Sequence, residues 1–237
     1  MSFVRIGEDA EDAALLCADW MAHEIQRALF TQDRFSIVLA GGTTPKMLYE
    51  QLASGNYNKK IDWTKLHIFF GDERYVPFTD ERNNARMATE AMLSKVPIPA
   101  DQIHVMQTDV PPQEVADNYE RKLKQYFGNN KETFDLVLLG MGDDAHTLSV
   151  FPQSPLVHNT TQWVSHIWLE SQQMHRITLL PKAVNLAKRV AFLVTGKSKQ
   201  FALRNVRNGI PNPSLYPAQL IQPYSKQLYW FLDNAVM

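Results

Sequence analysis

The chain has 237 residues, with 24 Lys+Arg against 25 Asp+Glu, a formal net charge of −1 with histidine neutral. That balance argues against a nucleic-acid groove or an anionic-membrane surface, both of which draw on a basic excess; at 45% hydrophobic and 21% charged, the composition is that of a globular chain with ample core. No apolar run approaches the roughly 20 residues of a membrane span, and a single cysteine, Cys17, excludes an internal disulfide and a multi-cysteine zinc site.

In chain order, residues 3–6 give a weak strand signal and lead into acidic residues with no secretory pattern, so a cytoplasmic protein is expected. Residues 11–30 carry Ala14, Cys17, Met21, Ile25 and Ala28 at steps of three and four, the stripe of an amphipathic helix. Residues 35–40 (FSIVLA) form a short, nearly continuous apolar run that closes on Gly41 and Gly42, and residues 45–53 read as a helix. The run 66–70 (LHIFF) closes on Gly71, and a helix is expected over 83–93. A further helix over 113–127 has Val115, Tyr119, Leu123 and Tyr126 on one face and stops at Gly128. The run 134–139 (FDLVLL) closes on Gly140 and Gly142; weaker strands follow at 164–169 and 176–179, then a helix at 181–188. The run 190–195 (VAFLVT) closes on Gly196, ahead of a helix at 198–206, a Pro-rich surface loop at 210–217 and a last strand at 228–232 (LYWFL).

Continuous apolar runs suit strands buried on both faces. Their alternation with helices predicts an α/β fold of three layers, a Rossmann-like open, mostly parallel sheet with helices on both faces. Neither a repeat nor a long linker divides the chain, so one domain over residues 1–237 is expected. The chain has only 10 glycines, and six of them close these runs. In such sheets ligands bind beyond the carboxyl ends of the strands, so the residues beside those glycines are the ones to weigh.

Gly41-Gly42-Thr43-Thr44-Pro45 is built to hold an anion: glycines allow close backbone approach, the threonines offer hydroxyls, and Pro45 suits a first helical turn. It lacks the Gly-Lys-Ser/Thr ending of a Walker A loop, and taken alone an ordinary strand-to-helix turn explains it equally well. Gly71-Asp72-Glu73-Arg74 sets two carboxylates and a guanidinium at a strand end. Arg74 is a natural fork for phosphate oxygens, although an ion pair is the simpler reading of this segment by itself.

Gly140-Met141-Gly142-Asp143-Asp144-Ala145-His146 fits a permissive dinucleotide fingerprint. Two acidic residues beside a pyrophosphate, a helix cut short by Phe151-Pro152 and the missing acid about 20 residues on argue against that reading. A histidine beside aspartates at a strand's carboxyl end is an acid–base arrangement. Gly196-Lys197-Ser198-Lys199 is anion-receptive, with Lys197 expected in solvent. The chain has neither a Gly-x-Ser-x-Gly elbow nor a His-Glu-x-x-His pair.

Together these segments resemble the 6-phosphogluconolactonase family within the glucosamine-6-phosphate isomerase/deaminase-like superfamily. The resemblance rests on residues 40–45, on Phe70-Gly71-Asp72-Glu73-Arg74-Tyr75-Val76-Pro77 with Asn84, and on Leu139 through Pro152. Arg176-Ile177-Thr178-Leu179, Thr195-Gly196-x-x-Lys199, Tyr216-Pro217-Ala218 and Trp230-Phe231-Leu232-Asp233 follow in the family's order. The resemblance implies hydrolysis of 6-phospho-D-glucono-1,5-lactone to 6-phosphogluconate in the oxidative pentose phosphate pathway, without metal or organic cofactor. It implies His146 as the general base and Asp144 as the acid that orients the loop or the histidine. Gly42, Thr43, Arg74, Arg176 and Lys199 would hold phosphate or sugar hydroxyls, with Asp72 nearby. The expected partner is a small sugar-phosphate lactone, with no nucleic acid and no membrane, on a monomer or homodimer.

Two positions depart from the family pattern. Ala145 stands where the family has Gly, which brings a strain cost if that position needs φ > 0, and Asn83 replaces the usual Ser. A sugar-phosphate isomerase/deaminase is the runner-up, disfavoured because Phe151 stands where deaminases carry a glutamate. A non-catalytic sugar-phosphate sensor is the reading of a different class, supported only by Ala145.

Overall fold

The computed structural model describes residues 2–237, so Met1, the first residue of the expected single domain, lies outside them. The elements in order are β1 (Ser2–Gly7), α1 (Ala10–Leu29), β2 (Phe35–Leu39), α2 (Thr43–Leu52), α3 (Gly55–Asn58), β3 (Leu66–Phe70), β4 (Asp72–Arg74), α4 (Asn84–Ala91) and β5 (Ile103–His104). There follow α5 (Pro112–Phe127), β6 (Leu136–Leu139), β7 (Val164–Leu169), β8 (Met174–Leu179), α6 (Pro181–Asn185), β9 (Val190–Val194), α7 (Gln200–Asn208) and β10 (Leu228–Asp233).

A 7-stranded sheet runs β1-β10-β9-β6-β2-β3-β5, with every neighbouring pair parallel. The expected open parallel sheet covered by helices is what forms. Alternation along the central strands explains why: Ile37 and Leu39 enter one core with α1, α2 and α4, whereas Val38 enters a second core with α5 and α7. Leu136 and Leu138 against Val137 and Leu139, and Ala191 and Leu193 against Phe192 and Val194, divide in the same way. Both faces are therefore apolar, and the runs read as continuous. From β2 the chain moves outward through β3 to β5, and from β6 it moves outward the other way through β9 and β10. The gap between the carboxyl ends of β2 and β6 is the point where the winding reverses, which is where such sheets take ligands.

A second sheet has three antiparallel strands in the order β4-β8-β7, two of them the weaker strands expected at 164–169 and 176–179 and the third, β4, not anticipated. Residues 72–74, read above as polar residues after a strand, are themselves β4. Three consecutive charged residues carry no strand propensity; pairing with β8 draws them into a ladder. Gly71 joins the two sheets, its N–H donating to Leu39 O at 2.9 Å and its carbonyl accepting from Leu179 N at 2.7 Å. A Cβ at Gly71 would come within 2.9 Å of Leu148 Cδ2, so a glycine fits this crossing. The two-residue β5 was not anticipated either, and α6 ends at Asn185, three residues short of the expected bound.

The amino-terminal side of the sheet is fastened by Asp135, which is 6% exposed. Its carboxylate accepts from Ser36 N at 2.8 Å and Ser36 Oγ at 3.0 Å and meets Lys188 Nζ at 2.8 Å, tying β2 to the start of β6. Replacing Asp135 with Ala strands these buried donors and is expected to cost about 2–4 kcal/mol. Urea unfolding checks this: the midpoint should fall at unchanged m-value, and a loss below about 0.5 kcal/mol, the range of ordinary surface changes, would contradict the fastening role.

Candidate active site

The loop after β2 is set by two glycines. Gly41 lies against the Asn84 side chain, where a Cβ would fall 2.1 Å from Asn84 Oδ1. Gly42 has φ 111°, a conformation L side chains rarely adopt, and it caps α2 with no side-chain hydrogen bond. The helix begins at Thr43, two residues before the expected start, so Pro45 sits in its first turn. With no side-chain cap, the first-turn amides of Thr43 and Thr44 face outward at the positive end of the helix dipole. Thr44 Oγ1 lies 2.8 Å from Thr195 Oγ1 at the end of β9, joining two of the loops.

The pleat of β4 sorts the Asp-Glu-Arg triplet. Asp72 and Arg74 point to the cleft, whereas Glu73 points away and is 1% exposed. The register sets Arg74 directly across from Arg176 on β8. Arg176 Nη1 is 3.8 Å from Asp72 Oδ2, which also accepts from Ser149 Oγ at 2.7 Å. Arg176 Nη2 donates to Gln172 Oε1 at 2.6 Å and Arg74 Nη1 to Arg82 O at 2.8 Å. The Nε atoms of Arg74 and Arg176 are buried and have no hydrogen-bond partner among the described residues. Burial lowers the Arg176 pKa against the pull of Asp72, yet a guanidinium stays charged in a protein. Two facing cations with unspent donors form a seat for an oxyanion.

Glu73 holds the other side of β4 in place. Its carboxylate accepts from Asn84 N, from Ala85 N at 2.9 Å and from its neighbour Arg74 N at 2.9 Å. It thereby fixes the start of α4, where Asn83 caps the helix by accepting from Arg86 N at 2.8 Å, the task the usual Ser would perform. Asn84 is delivered between Gly41 and Asp72, where its Nδ2 donates to Asp72 O at 2.8 Å.

The segment after β6 is a tight loop without a helix, as expected from Phe151-Pro152. Gly142 N donates to His146 O at 2.9 Å and Ala145 N to Gly142 O at 3.1 Å. Asp144 Oδ1 accepts from His146 N at 3.0 Å and lies 2.6 Å from His146 Nδ1. Burial pushes the Asp144 carboxyl up, but the bonds from His146 outweigh it and hold the carboxyl below its usual range, as a carboxylate. With Nδ1 committed to Asp144, Nε2 is the imidazole nitrogen left for a ligand. The ring stacks on Phe151, centroids 4.3 Å apart. A Cβ on Gly142 would lie 2.2 Å from His146 Nδ1 and 2.6 Å from Asp144 Oδ1, so this glycine is what admits the pair. Ala145 has φ 65° and is fully buried, its carbonyl accepting from Ala218 N at 3.0 Å. The position does require φ > 0, and the alanine there carries strain on the order of 1 kcal/mol or more.

The fourth loop turns at Gly196, φ 94°, whose N–H donates to the buried Asp233 carboxylate at 3.0 Å. A 3-10 turn, Lys197–Lys199, precedes α7, so the helix starts two residues later than expected. Burial lowers the Lys199 pKa, opposed by Asp143 and Asp233. Lys197 is exposed and outside the cleft, as expected.

The four loops enclose a cleft of about 250 Å³ lined by Gly42, Thr43, Asp72, Arg74, His146, Arg176 and Lys199. Of the eight residues singled out from sequence, only Asp144 does not line the cleft; it lies exposed beside the imidazole. Thr147, Leu148 and Phe151 also line the cleft, as does Asn84. Among the described residues there is no group of three or more His, Cys, Asp or Glu set to hold a metal ion, and no helix is long and apolar enough to cross a membrane. The arrangement brings a carboxylate-backed imidazole, three cations and a helix N-terminus to one cleft, a set of groups able to accept a proton and to receive an anion.

Known proteins resemble the chain in sequence and in fold. The sequence matches the family model described as glucosamine-6-phosphate isomerases/6-phosphogluconolactonase over residues 8–230. It is 38% identical over 227 residues to the 6-phosphogluconolactonase of Synechocystis sp., covering 94% of this chain and 90% of that one. To the 6-phosphogluconolactonase of Nostoc sp. it is 38% identical over 221 residues, covering 92% and 89%. The structure of the 6-phosphogluconolactonase from Thermotoga maritima superposes with a TM-score of 0.86 at 28% identity, covering 99% of this chain and 100% of that one.

Glu73 gives the site a pH signature. Burial drives its carboxyl from 4.5 up to about 7, against the pull of the amides of Asn84, Ala85 and Arg74. Between those values the folded state holds the proton and the unfolded state does not, so stability falls as pH rises through that window. Relative to a Glu73→Gln variant, the wild type is expected to gain unfolding free energy on acidification from about pH 8 to about pH 5.5. Urea titrations at both conditions test this, and a difference independent of pH would sink it.

Proposed function

The chain belongs to the glucosamine-6-phosphate isomerase/6-phosphogluconolactonase family, and from that premise we propose that it hydrolyses 6-phospho-D-glucono-1,5-lactone to 6-phosphogluconate as a step of the oxidative pentose phosphate pathway. The observation that carries the reading is the His146–Asp144 couple, 2.6 Å apart, facing a cleft walled by Arg74, Arg176 and Lys199. The phosphate sits on the Gly42 and Thr43 backbone with the guanidinium and ammonium groups around it. Held there, away from the reacting carbon, it supplies binding energy and orientation rather than chemistry.

His146 Nε2 takes a proton from water as the water oxygen bonds to the lactone carbonyl carbon, and Asp144 stabilises the imidazolium that forms. The carbonyl oxygen becomes an alkoxide, stabilised by backbone N–H groups or a cation lining the cleft. On collapse the ring C–O bond breaks and the ring oxygen takes the proton from His146, which leaves a hydroxyl and a carboxylic acid. A strained cyclic ester needs less activation than an amide, so neither a covalent nucleophile nor a metal or organic cofactor is required. Asp72, bound by Ser149 and near Arg176, is placed to orient sugar hydroxyls. Phe151, stacked on the imidazole, offers no proton for the ring-opening that a deaminase performs. The reading extends to a single catalytic domain acting in the cytoplasm on a small soluble substrate.

His146→Ala is expected to lower kcat on the phosphorylated lactone by about 10²–10⁴-fold, with the affinity for 6-phosphogluconate nearly kept. Equal loss of binding in calorimetry would move His146 from catalysis to recognition. Arg74→Ala or Lys199→Ala should raise KM for the phosphorylated lactone by about tenfold to a hundredfold. Unphosphorylated gluconolactone serves as comparison, and an equal penalty on it would refute the phosphate role.

A further inference from the structure

Two buried tyrosines close the strands that lead into the cleft. Tyr49, on α2, is fully buried in the core between the large sheet and α1, and its hydroxyl accepts from Ala40 N at 2.8 Å and donates to Ala40 O at 2.7 Å. Tyr119, on α5, is 2% exposed in the opposite core, and its hydroxyl accepts from Phe70 N at 2.9 Å and lies 3.2 Å from Phe70 O and 3.3 Å from His104 O. The two residues thus approach from opposite faces of the sheet, and each meets both backbone groups of a single residue. That residue is the last one before a cleft glycine, Gly41 in one case and Gly71 in the other.

The ladder leaves these groups without a strand partner. The β2–β6 pairing covers Ile37 and Val38, and the β2–β3 pairing ends at Leu39, so Ala40 lies beyond both. On the outer side of β3, β5 pairs only with Ile68 and Phe69 and stops before Phe70. Unmet backbone groups at these depths carry a large penalty. A neutral phenol is one of the few side chains that offers a donor and an acceptor on one atom, and burial pushes both phenols up, so they stay protonated. Neither hydroxyl lines the cleft. Phenylalanine would fill the same volume, so the hydroxyls serve the backbone rather than the packing.

We propose that Tyr49 and Tyr119 are positioning residues for the cleft, Tyr49 holding the Gly41–Gly42 turn and with it the amides of α2, and Tyr119 holding Gly71 and with it Asp72 and Arg74. The Tyr49 contact spans nine positions and closes strand, turn and first helical turns into a ring. The Tyr119 contact fixes the point from which β4 departs. The kinetic part of this inference rests on the lactonase reading; the structural part does not.

The test uses Tyr49→Phe and Tyr119→Phe, with Tyr57→Phe as a control that loses a hydroxyl bond to Asp19, 2.8 Å long and outside the cleft. Tyr49→Phe is expected to weaken binding of 6-phosphogluconate and of inorganic phosphate by about fivefold to tenfold. Amide hydrogen exchange should quicken at residues 40–44 only. Tyr119→Phe is expected to raise KM by a similar factor, more than it lowers kcat, with faster exchange confined to residues 70–74. Tyr57→Phe should lower thermal stability with no change in affinity. The proposal is overturned if either cleft variant keeps wild-type affinity, or if the control loses as much affinity at equal stability. In the unsubstituted protein, the Ala40 and Phe70 amides should exchange as slowly as those of Val38 and Ile68. Loop-like rates there would overturn the proposal even if a variant failed to fold. A wild-type protein inert toward the lactone would instead defeat the functional reading, leaving the exchange and phosphate arms to decide the tyrosines.

Discussion

The backbone of one glycine connects the two halves of the cleft. Gly71 gives its N–H to the last residue of β2 and takes a hydrogen bond from the last residue of β8, so it belongs to the large parallel sheet and the small antiparallel one together. Everything cationic on one wall follows from it. Because β4 starts at the next residue, its pleat aims Asp72 and Arg74 into the cleft, and its register with β8 sets Arg176 opposite Arg74. Without that junction the parallel sheet would still offer a helix N-terminus at Gly42, but no pair of guanidinium groups would stand over it.

Charge within the cleft is arranged by depth and not merely by sign. Three of the carboxylates next to the cations are already engaged: Asp72 by Ser149 and Arg176, Asp233 by the Gly196 amide, Glu73 by three backbone amides. Each is thereby kept from neutralising Arg74 and Lys199, which leaves donors unspent for an incoming anion. Asp144 is the exception, spent on the imidazole it orients. The separation of carboxylates into structural and chemical roles is set by which backbone amides reach them.

Much of this was legible in the sequence because the large sheet is buried on both faces. Runs such as FSIVLA and VAFLVT have no polar side to interrupt them, and a glycine follows each where the chain turns into the cleft. The contact of Asp144 with His146 was legible for a local reason: the two are two residues apart, so it needs no knowledge of tertiary structure. The small sheet was legible only in part: the strands at 164–169 and 176–179 form, but Asp-Glu-Arg becomes a strand only through β8, about a hundred residues later in the chain. Asn84 was visible only as part of a motif; its position against Gly41 depends on Glu73 seizing the start of α4. Tyr119 reads simply as a helix-face residue and Tyr49 only as part of the helix over 45–53, because a hydroxyl's backbone partner leaves no trace in periodicity.

The left-handed backbone at Ala145 has company: Leu148 and Gln153, in the same loop, also carry positive φ without being glycine. Such residues hold their conformation only where their surroundings over-determine it. The segment bearing the imidazole combines bonds of its own, between Gly142 and His146 and between Ala145 and Gly142, with outside ties between Ser149 and Thr178 and between Ala218 and Ala145. Three left-handed backbones between residues 145 and 153 leave this loop few tolerated substitutions: a β-branched side chain at Ala145, Leu148 or Gln153 would meet a backbone it does not accept, whereas glycine would fit.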